Sequence, residues 1–254
     1  MRGSLPEMGD WDAVFDESYL QTYVPFLDDE RTRREALGAV ALAGVEPGAE
    51  ILDCPVGFAR HALVLTHAGY RVTGLDRSEV QLAEGRSRRG DAEWPRLLQG
   101  DYRELPFPDR SFDAVLNLFT SLGYLDRDED VRVLREFHRV LRPGGALVIE
   151  TMHRDRLARL FTARLWDRLP DGSLYLQEHD ADWAAGTLSA LHLVIAPDGT
   201  RTERRFVHHP YSASEWVRML EEAGFPNIDC FSDWGGESPA TPERRLIVRA
   251  RREG

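Results

Sequence analysis

Ala49-Glu50-Ile51-Leu52-Asp53-Cys54-Pro55-Val56-Gly57-Phe58-Ala59-Arg60-His61 decides the fold of this 254-residue chain. It reads as a short apolar strand ending at Asp53, a tight turn with one glycine, and the start of a helix reaching about Ala68. Gly57 falls where a ligand could press against bare backbone. Arg71-Val72-Thr73-Gly74-Leu75-Asp76 follows as a second strand and also ends in a carboxylate. Ionised carboxylates only accept hydrogen bonds, so two at successive strand tips suit an uncharged ribose and a cationic group. They do not suit a pyrophosphate. A dinucleotide oxidoreductase would need Gly-x-Gly-x-x-Gly here, and only Gly57 is present.

Upstream, Asp28 or Asp29 can cap a helix from about Glu30 to Ala43. The segment before it carries Phe15, Tyr19, Tyr23 and Phe26, either as packing against the main body or as a flap over a ligand. Downstream, Ser78 caps a helix to about Arg88, and Arg96 to Gln99 is a short strand. Phe112 to Leu118 is a nearly continuous apolar strand, the pattern of one covered by helices on both faces. Val131, Leu134, Phe137 and Leu141 share a helical face, and Ala146 to Glu150 is the next strand. The run Asp126-Arg127-Asp128-Glu129-Asp130 reads as a solvated helix start. Strand and helix therefore alternate from Glu50 to Thr151, which predicts a parallel, doubly wound sheet.

Beyond Thr151 the pattern changes. Leu174 to His179, Thr187 to Ile195 and Thr202 to His208 read as strands with no helix between them, hence antiparallel, with Pro197-Asp198-Gly199-Thr200 as a hairpin turn. A helix with Ser214 near its start and Gly224 after its end precedes strands at Ile228 to Phe231 and Arg245 to Ala250. The expected organisation is a flap at 1–29, a cofactor-binding core at 30–153, an inserted antiparallel lid or dimer segment at 154–211, and the last helix and strands at 212–254.

The formal net charge is −11, which argues against wholesale binding to nucleic acid. All 32 basic residues are arginine, so Schiff-base and P-loop lysine chemistry is excluded. Two cysteines, Cys54 and Cys230, make no disulfide framework or metal-ligand spacing. No apolar run approaches a membrane span, and the first ten residues lack the apolar region of a signal peptide, so the expected location is the cytoplasm.

Asp53-x-Pro55-x-Gly57-x-Ala59 followed by Asp76 resembles the first two motifs of class I S-adenosylmethionine-dependent methyltransferases. Gly100-Asp101-Tyr102 matches the family's third-strand motif, Phe112 to Asn117 its fourth, and Phe137 to Gly145 the approach to its fifth. The resemblance covers roughly Glu46 to Thr151 and implies a seven-stranded, mostly parallel, Rossmann-like α/β sheet with an inserted antiparallel sheet after strand 5. It implies S-adenosylmethionine as cofactor and S-adenosylhomocysteine as product, with no metal.

Residue by residue, it implies that Gly57 admits the methionyl part, Asp53 meets its amino end and Asp76 accepts from both ribose hydroxyls. Asp101 would meet the adenine amino group, Tyr102 would line the base, and Asn117 and Leu118 would lie under the sulfonium. Arg60 would reach the methionyl carboxylate, with Phe58 and Arg77 completing the cofactor set. Tyr19 and Tyr23 could close over the sulfonium, and His153 and His209 are candidate bases, each set against a purely structural role. The family usually has glycine where Pro55 and Ala59 stand, which keeps alive a relative that binds the cofactor without methylating. The favoured activity is methyl transfer to nitrogen or oxygen of a small molecule, the chain acting alone or as a homodimer.

Overall fold

The computed structural model describes residues 14–24, 27–241 and 244–254. Phe26 and the leader at 1–10 lie outside the described residues. Eleven strands form two sheets among them. The large sheet comprises β1 (Glu50–Asp53), β2 (Arg71–Asp76), β3 (Arg96–Gln99), β4 (Phe112–Asn117), β5 (Leu141–Thr151), β10 (Asn227–Phe231) and β11 (Leu246–Arg251), in the order β10-β11-β5-β4-β1-β2-β3. All neighbours are parallel except β11, which runs antiparallel to β5 and to β10.

Alternation along each strand divides the core into two layers. Leu52, Leu75, Val115, Leu147 and Ile149 face one layer, closed by helices α5 (Arg127–Val140) and α7 (Ala213–Glu222). Ile51, Val72, Ala114, Leu116 and Val148 face the other, closed by α2 (Asp29–Ala43), α3 (Arg60–His67) and α4 (Glu79–Arg89). Local chemistry sets the helix ends. Asp28, Ser78 and Asp126 each accept a backbone N–H as N-caps, and Ser212 with Glu215 forms a capping box. Strand order reverses between β1 and β4, so the crevice at their C-terminal ends is the place where this architecture binds ligands.

The second sheet is antiparallel, β6 (Arg164–Arg168), β7 (Leu174–Asp182), β8 (Thr187–Ile195) and β9 (Arg201–His208). β6 was not expected, because Arg-Leu-Trp-Asp-Arg is exposed at every position and bears no core-facing pattern. Two short helices complete the picture, α1 (Glu17–Tyr23), capped by Asp16, and α6 (Arg154–Arg159). One reading is corrected. The acidic run at the start of α5 is not all solvated, since Asp130 is 0% exposed and accepts from the Tyr211 hydroxyl at 2.8 Å. Helical spacing turns it inward, four residues beyond the cap.

Candidate functional site

The tips of β1, β2 and β4 open into a cavity of about 1090 Å³, counting its open mouth. Gly57, Phe58, Arg60, Asp76, Arg77, Asp101, Tyr102, Leu118 and Tyr19 line it, as the sequence places them. Gly57 takes φ +54°, and a Cβ there would enter van der Waals range of the Gln81 side chain. Its N–H donates to Asp76 Oδ2 at 2.7 Å, while Ser78 N–H donates to Oδ1 at 2.9 Å. Asp76 thus closes the turn and faces the cavity at once. Burial raises its pKa against these backbone hydrogen bonds.

Asp53 stands behind the wall rather than on it, buried at the end of β1. Burial, with Arg60 opposing and Asp76 adding repulsion, pushes its carboxyl up to about 8. Its Oδ2 has no hydrogen-bond partner. Asn117, at the tip of the paired strand β4, is likewise behind the wall. Its Nδ2 donates to the Cys54 carbonyl at 2.8 Å, and its Oδ1 is unpartnered.

Arg60 is held by Glu35 at 2.8 Å and Thr32 at 3.0 Å through Nη1, whereas its buried Nη2 lacks a partner. Glu35 also meets His61 Nε2 at 3.0 Å. Asp101 is less free than the sequence suggests. Arg103 grips both its oxygens, Nη2 to Oδ2 at 2.5 Å, and these bonds outweigh burial to hold the carboxyl below its ordinary range.

The remaining candidates lie off the wall. Tyr23 points its hydroxyl to Tyr175 at 3.0 Å in the second sheet, because α1 bridges cavity and sheet. His153 caps α6, its Nδ1 accepting from Asp155 N–H at 3.2 Å. His209 packs on Gly123, its N–H donating to that carbonyl at 2.6 Å. Neither histidine lines the cavity, because backbone partners hold both.

Sequence reasoning missed Gln81, His61, Phe119, Thr120 and Tyr124, all on the wall. Gln81 is 2% exposed, with both amide atoms unpartnered, and only its place three residues after the Ser78 cap could have signalled it. Phe119 and Thr120 both adopt left-handed backbone, φ 65° and 59°. Glu150 accepts from Phe119 N–H at 2.9 Å, and Arg245 binds both Glu150 and Thr120. The Phe119 ring carries the Arg60 guanidinium 4.9 Å from its centroid.

These unmet groups form a coherent set. Asp53 Oδ2 and Asn117 Oδ1 are acceptors without a donor, Arg60 Nη2 is a donor without an acceptor, and Gln81 is both. A buried polar atom without a partner is costly; Arg60 and Gln81 hold theirs in the cavity wall and Asp53 and Asn117 behind it, a pattern of donors and acceptors that suits a ligand with a carboxylate and an ammonium. The amino-acid end of S-adenosylmethionine has both.

A family model described as "Methyltransferase domain" matches residues 52–149. A demethylmenaquinone methyltransferase of Tropheryma whipplei (strain Twist) is 32% identical over 217 residues, covering 80% of this chain and 75% of that protein. The chain belongs to the methyltransferase family. It is S-adenosylmethionine-dependent and of class I fold. Among solved structures, the CcbJ methyltransferase from Streptomyces caelestis superposes with a TM-score of 0.80 at 23% identity, covering 96% of this chain and 99% of that one. The sugar N-methyltransferase KedS8 from Streptoalloteichus sp ATCC 53650 gives 0.73 at 22% identity, covering 100% and 99%. The family assignment removes the oxidoreductase reading. Among the described residues of this methyltransferase, no cluster of three or more His, Cys, Asp or Glu could hold a metal, and no helix is long and apolar enough to cross a membrane.

Proposed function

We propose that this methyltransferase moves a methyl group to a nitrogen or oxygen of a small molecule held between the cavity and the antiparallel sheet β6–β9. The observation that carries this reading is the set of unpaired buried atoms on Arg60 and Gln81, in the cavity wall, and on Asp53 and Asn117, behind it. Bound S-adenosylmethionine supplies a methyl carbon already activated by sulfonium, so the protein contributes position, exclusion of water and fixed electrostatics.

In this reading Arg60 Nη2 and Gln81 donate to the carboxylate, and the ammonium sits against the stretch of wall that Asp53 and Asn117 back. Asp76 accepts from the ribose hydroxyls with the lone pairs left after Gly57 and Ser78. Asp101 and Tyr102 take the adenine, with Arg77 at the rim, Leu118 beneath the sulfur and Phe58 on the turn. Tyr19, with Phe15 and Tyr124, closes the far wall. Burial raises the Tyr19 phenol far above its ordinary value, so at neutral pH it orients as a neutral hydroxyl and ring face and does not act as a base. The described residues 14–24 belong to the flap, and 154–211 is the cover of the acceptor. The small-molecule class is supported by a relative whose name gives demethylmenaquinone and a neighbour whose title gives a sugar nitrogen.

Isothermal titration with S-adenosylhomocysteine tests the cofactor site, and saturable binding at one site per chain is the expected result. Incubation with S-adenosylmethionine and a panel of amines, phenols and sugars should then generate S-adenosylhomocysteine with at least one acceptor. No heat at millimolar ligand would sink the reading.

A further inference from the structure

Arg204 lies on β9 opposite His192 and is 4% exposed. Its Nη2 donates to Thr22 Oγ1 of α1 at 2.9 Å. Its Nε and Nη1, with three N–H donors between them, are buried and have no hydrogen-bond partner. Among the described residues, the groups found against it are uncharged. The Tyr19 ring centroid is 5.9 Å from its guanidinium carbon, and Tyr23, Tyr175 and His192 bond to one another at 3.0 and 2.8 Å. Burial, reinforced by Arg204, pushes His192 down to about 3, so it is neutral at neutral pH.

A guanidinium stays protonated in a protein, and a buried charge with no counter-charge is strongly unfavourable. One hydroxyl and one ring face do not offset it. An arginine kept there at the expense of stability marks a place where an anion arrives. Tyr19 also lines the cofactor cavity, so the cation stands within one ring of the space where the methyl group would be passed.

We propose that Arg204 anchors an oxyanion of the methyl acceptor, which makes the substrate an anionic small molecule, a carboxylate or a phosphate ester. In a chain of net charge −11, such a substrate needs a dedicated cation. Because Nε and Nη1 are closed from solvent, entry requires α1 to lift. That seven-residue helix is held by Thr22 to Arg204, Tyr23 to Tyr175, and Ser78 Oγ donating to the Phe15 carbonyl at 2.8 Å. The identity of the anion's carrier as an acceptor rests on the methyl-transfer reading, but the anion site does not.

The test is thermal unfolding of the full chain, with and without S-adenosylhomocysteine, titrated with inorganic phosphate or benzoate at fixed ionic strength. At least one anion should raise the Tm, phosphate pointing to a phosphate ester and benzoate to a carboxylate. Arg204→Met should abolish the rise and, relieved of a lone charge, unfold at a higher temperature than the wild type without anion. No rise in the wild type, an equal rise in Arg204→Met, or a lower Tm for that variant overturns the proposal. Should Arg204→Met fail to fold, Arg204→Lys decides, with roughly tenfold weaker anion binding expected for a point charge in place of a planar fork, and unchanged binding overturning the idea. Separate titration of S-adenosylhomocysteine keeps the two readings apart. Its binding should match in wild type and variants, and its failure in the wild type would sink methyl transfer while the anion series run without it still gives its own answer.

Discussion

Asp53 joins protonation to cofactor binding. Its carboxyl is held up to about 8 by burial and by Asp76, against Arg60, so it is largely protonated at pH 7 in the free protein. An ammonium beside Oδ2 favours the ionised form, so binding should release a proton near neutral pH. Titration of S-adenosylhomocysteine in buffers of different ionisation enthalpy measures this release, and Asp53→Asn should abolish it. A heat independent of buffer would remove Asp53 from the site. Asp76→Ala should weaken the same ligand by about 1.5–3 kcal/mol, the range for a hydrogen bond to a charged group. An unchanged dissociation constant in that titration would exclude Asp76. Ala59, where the family usually has glycine, explains its own departure. It sits at φ 63°, a left-handed conformation costing about 1–2 kcal/mol for a residue with a side chain. Its methyl is fully buried, and burying one carbon group contributes about 0.8 kcal/mol, which offsets part of that cost.

At the scale of elements, the cavity wall after β4 is a strained strap. Two consecutive non-glycine residues, Phe119 and Thr120, have positive φ, and such strain persists only where the surroundings over-determine it. Glu150, buried on β5, does so by accepting from Phe119 N–H, while its carbonyl accepts from Thr120 N–H at 2.9 Å. Glu150→Ala leaves that N–H and Arg245 without their carboxylate. The expected loss is about 1–3 kcal/mol in urea unfolding, with weaker S-adenosylhomocysteine binding in the same variant. Glu150→Gln, which can still accept, should recover most of both. Equal cofactor affinity in Glu150→Ala and wild type would show that the strap does not shape the site. This strap was not legible in the sequence, because a positive φ at Phe-Thr has no residue signature, whereas glycine turns and caps do. β2 was read to the residue and β1 to its last residue, since each is an apolar run closed by an acid and a turn. β6 was missed because none of its residues is buried in a core. His153 and His209 were named for their chemistry, and backbone partners that no sequence pattern reports hold them away from the wall. Gln81 and Arg204 were missed for the converse reason, that the signal is a partner lacking in three dimensions.

Over the whole molecule, buried titrating groups pull stability in opposite directions with pH. Asp53 at about 8 and Asp130 at about 7 are both raised by burial, against Arg60 and the Tyr211 hydrogen bond respectively. The folded chain therefore holds protons that the unfolded chain has lost above its ordinary carboxyl value, and stability falls as pH rises from about 4 to 8. His192 at about 3 and His208 at about 4 are lowered by burial, so between those values and about 6.5 the unfolded chain binds more protons, and stability rises with pH there. Glu35, lowered by His61, Arg60 and Arg31 against burial, adds to the loss in acid below about 4.5. Above about pH 6.5 the histidine contribution is complete and only the carboxyl decline remains. Between about pH 4 and 6.5 the two carboxyls and the two histidines nearly cancel, so the Tm of the ligand-free protein should be almost level there and fall from about pH 6 towards pH 8. S-adenosylhomocysteine, by ionising Asp53 when it binds, should stabilise more at pH 8 than at pH 6, so that the Tm gain grows with pH. A scanning-calorimetry series with and without ligand separates the two effects. Asp130→Asn should flatten the decline of the free protein without altering the growth of the ligand's gain, whereas Asp53→Asn should suppress both. A ligand gain that does not change between pH 6 and 8 would show that the buried carboxyl at the end of β1 and the cofactor's ammonium never meet.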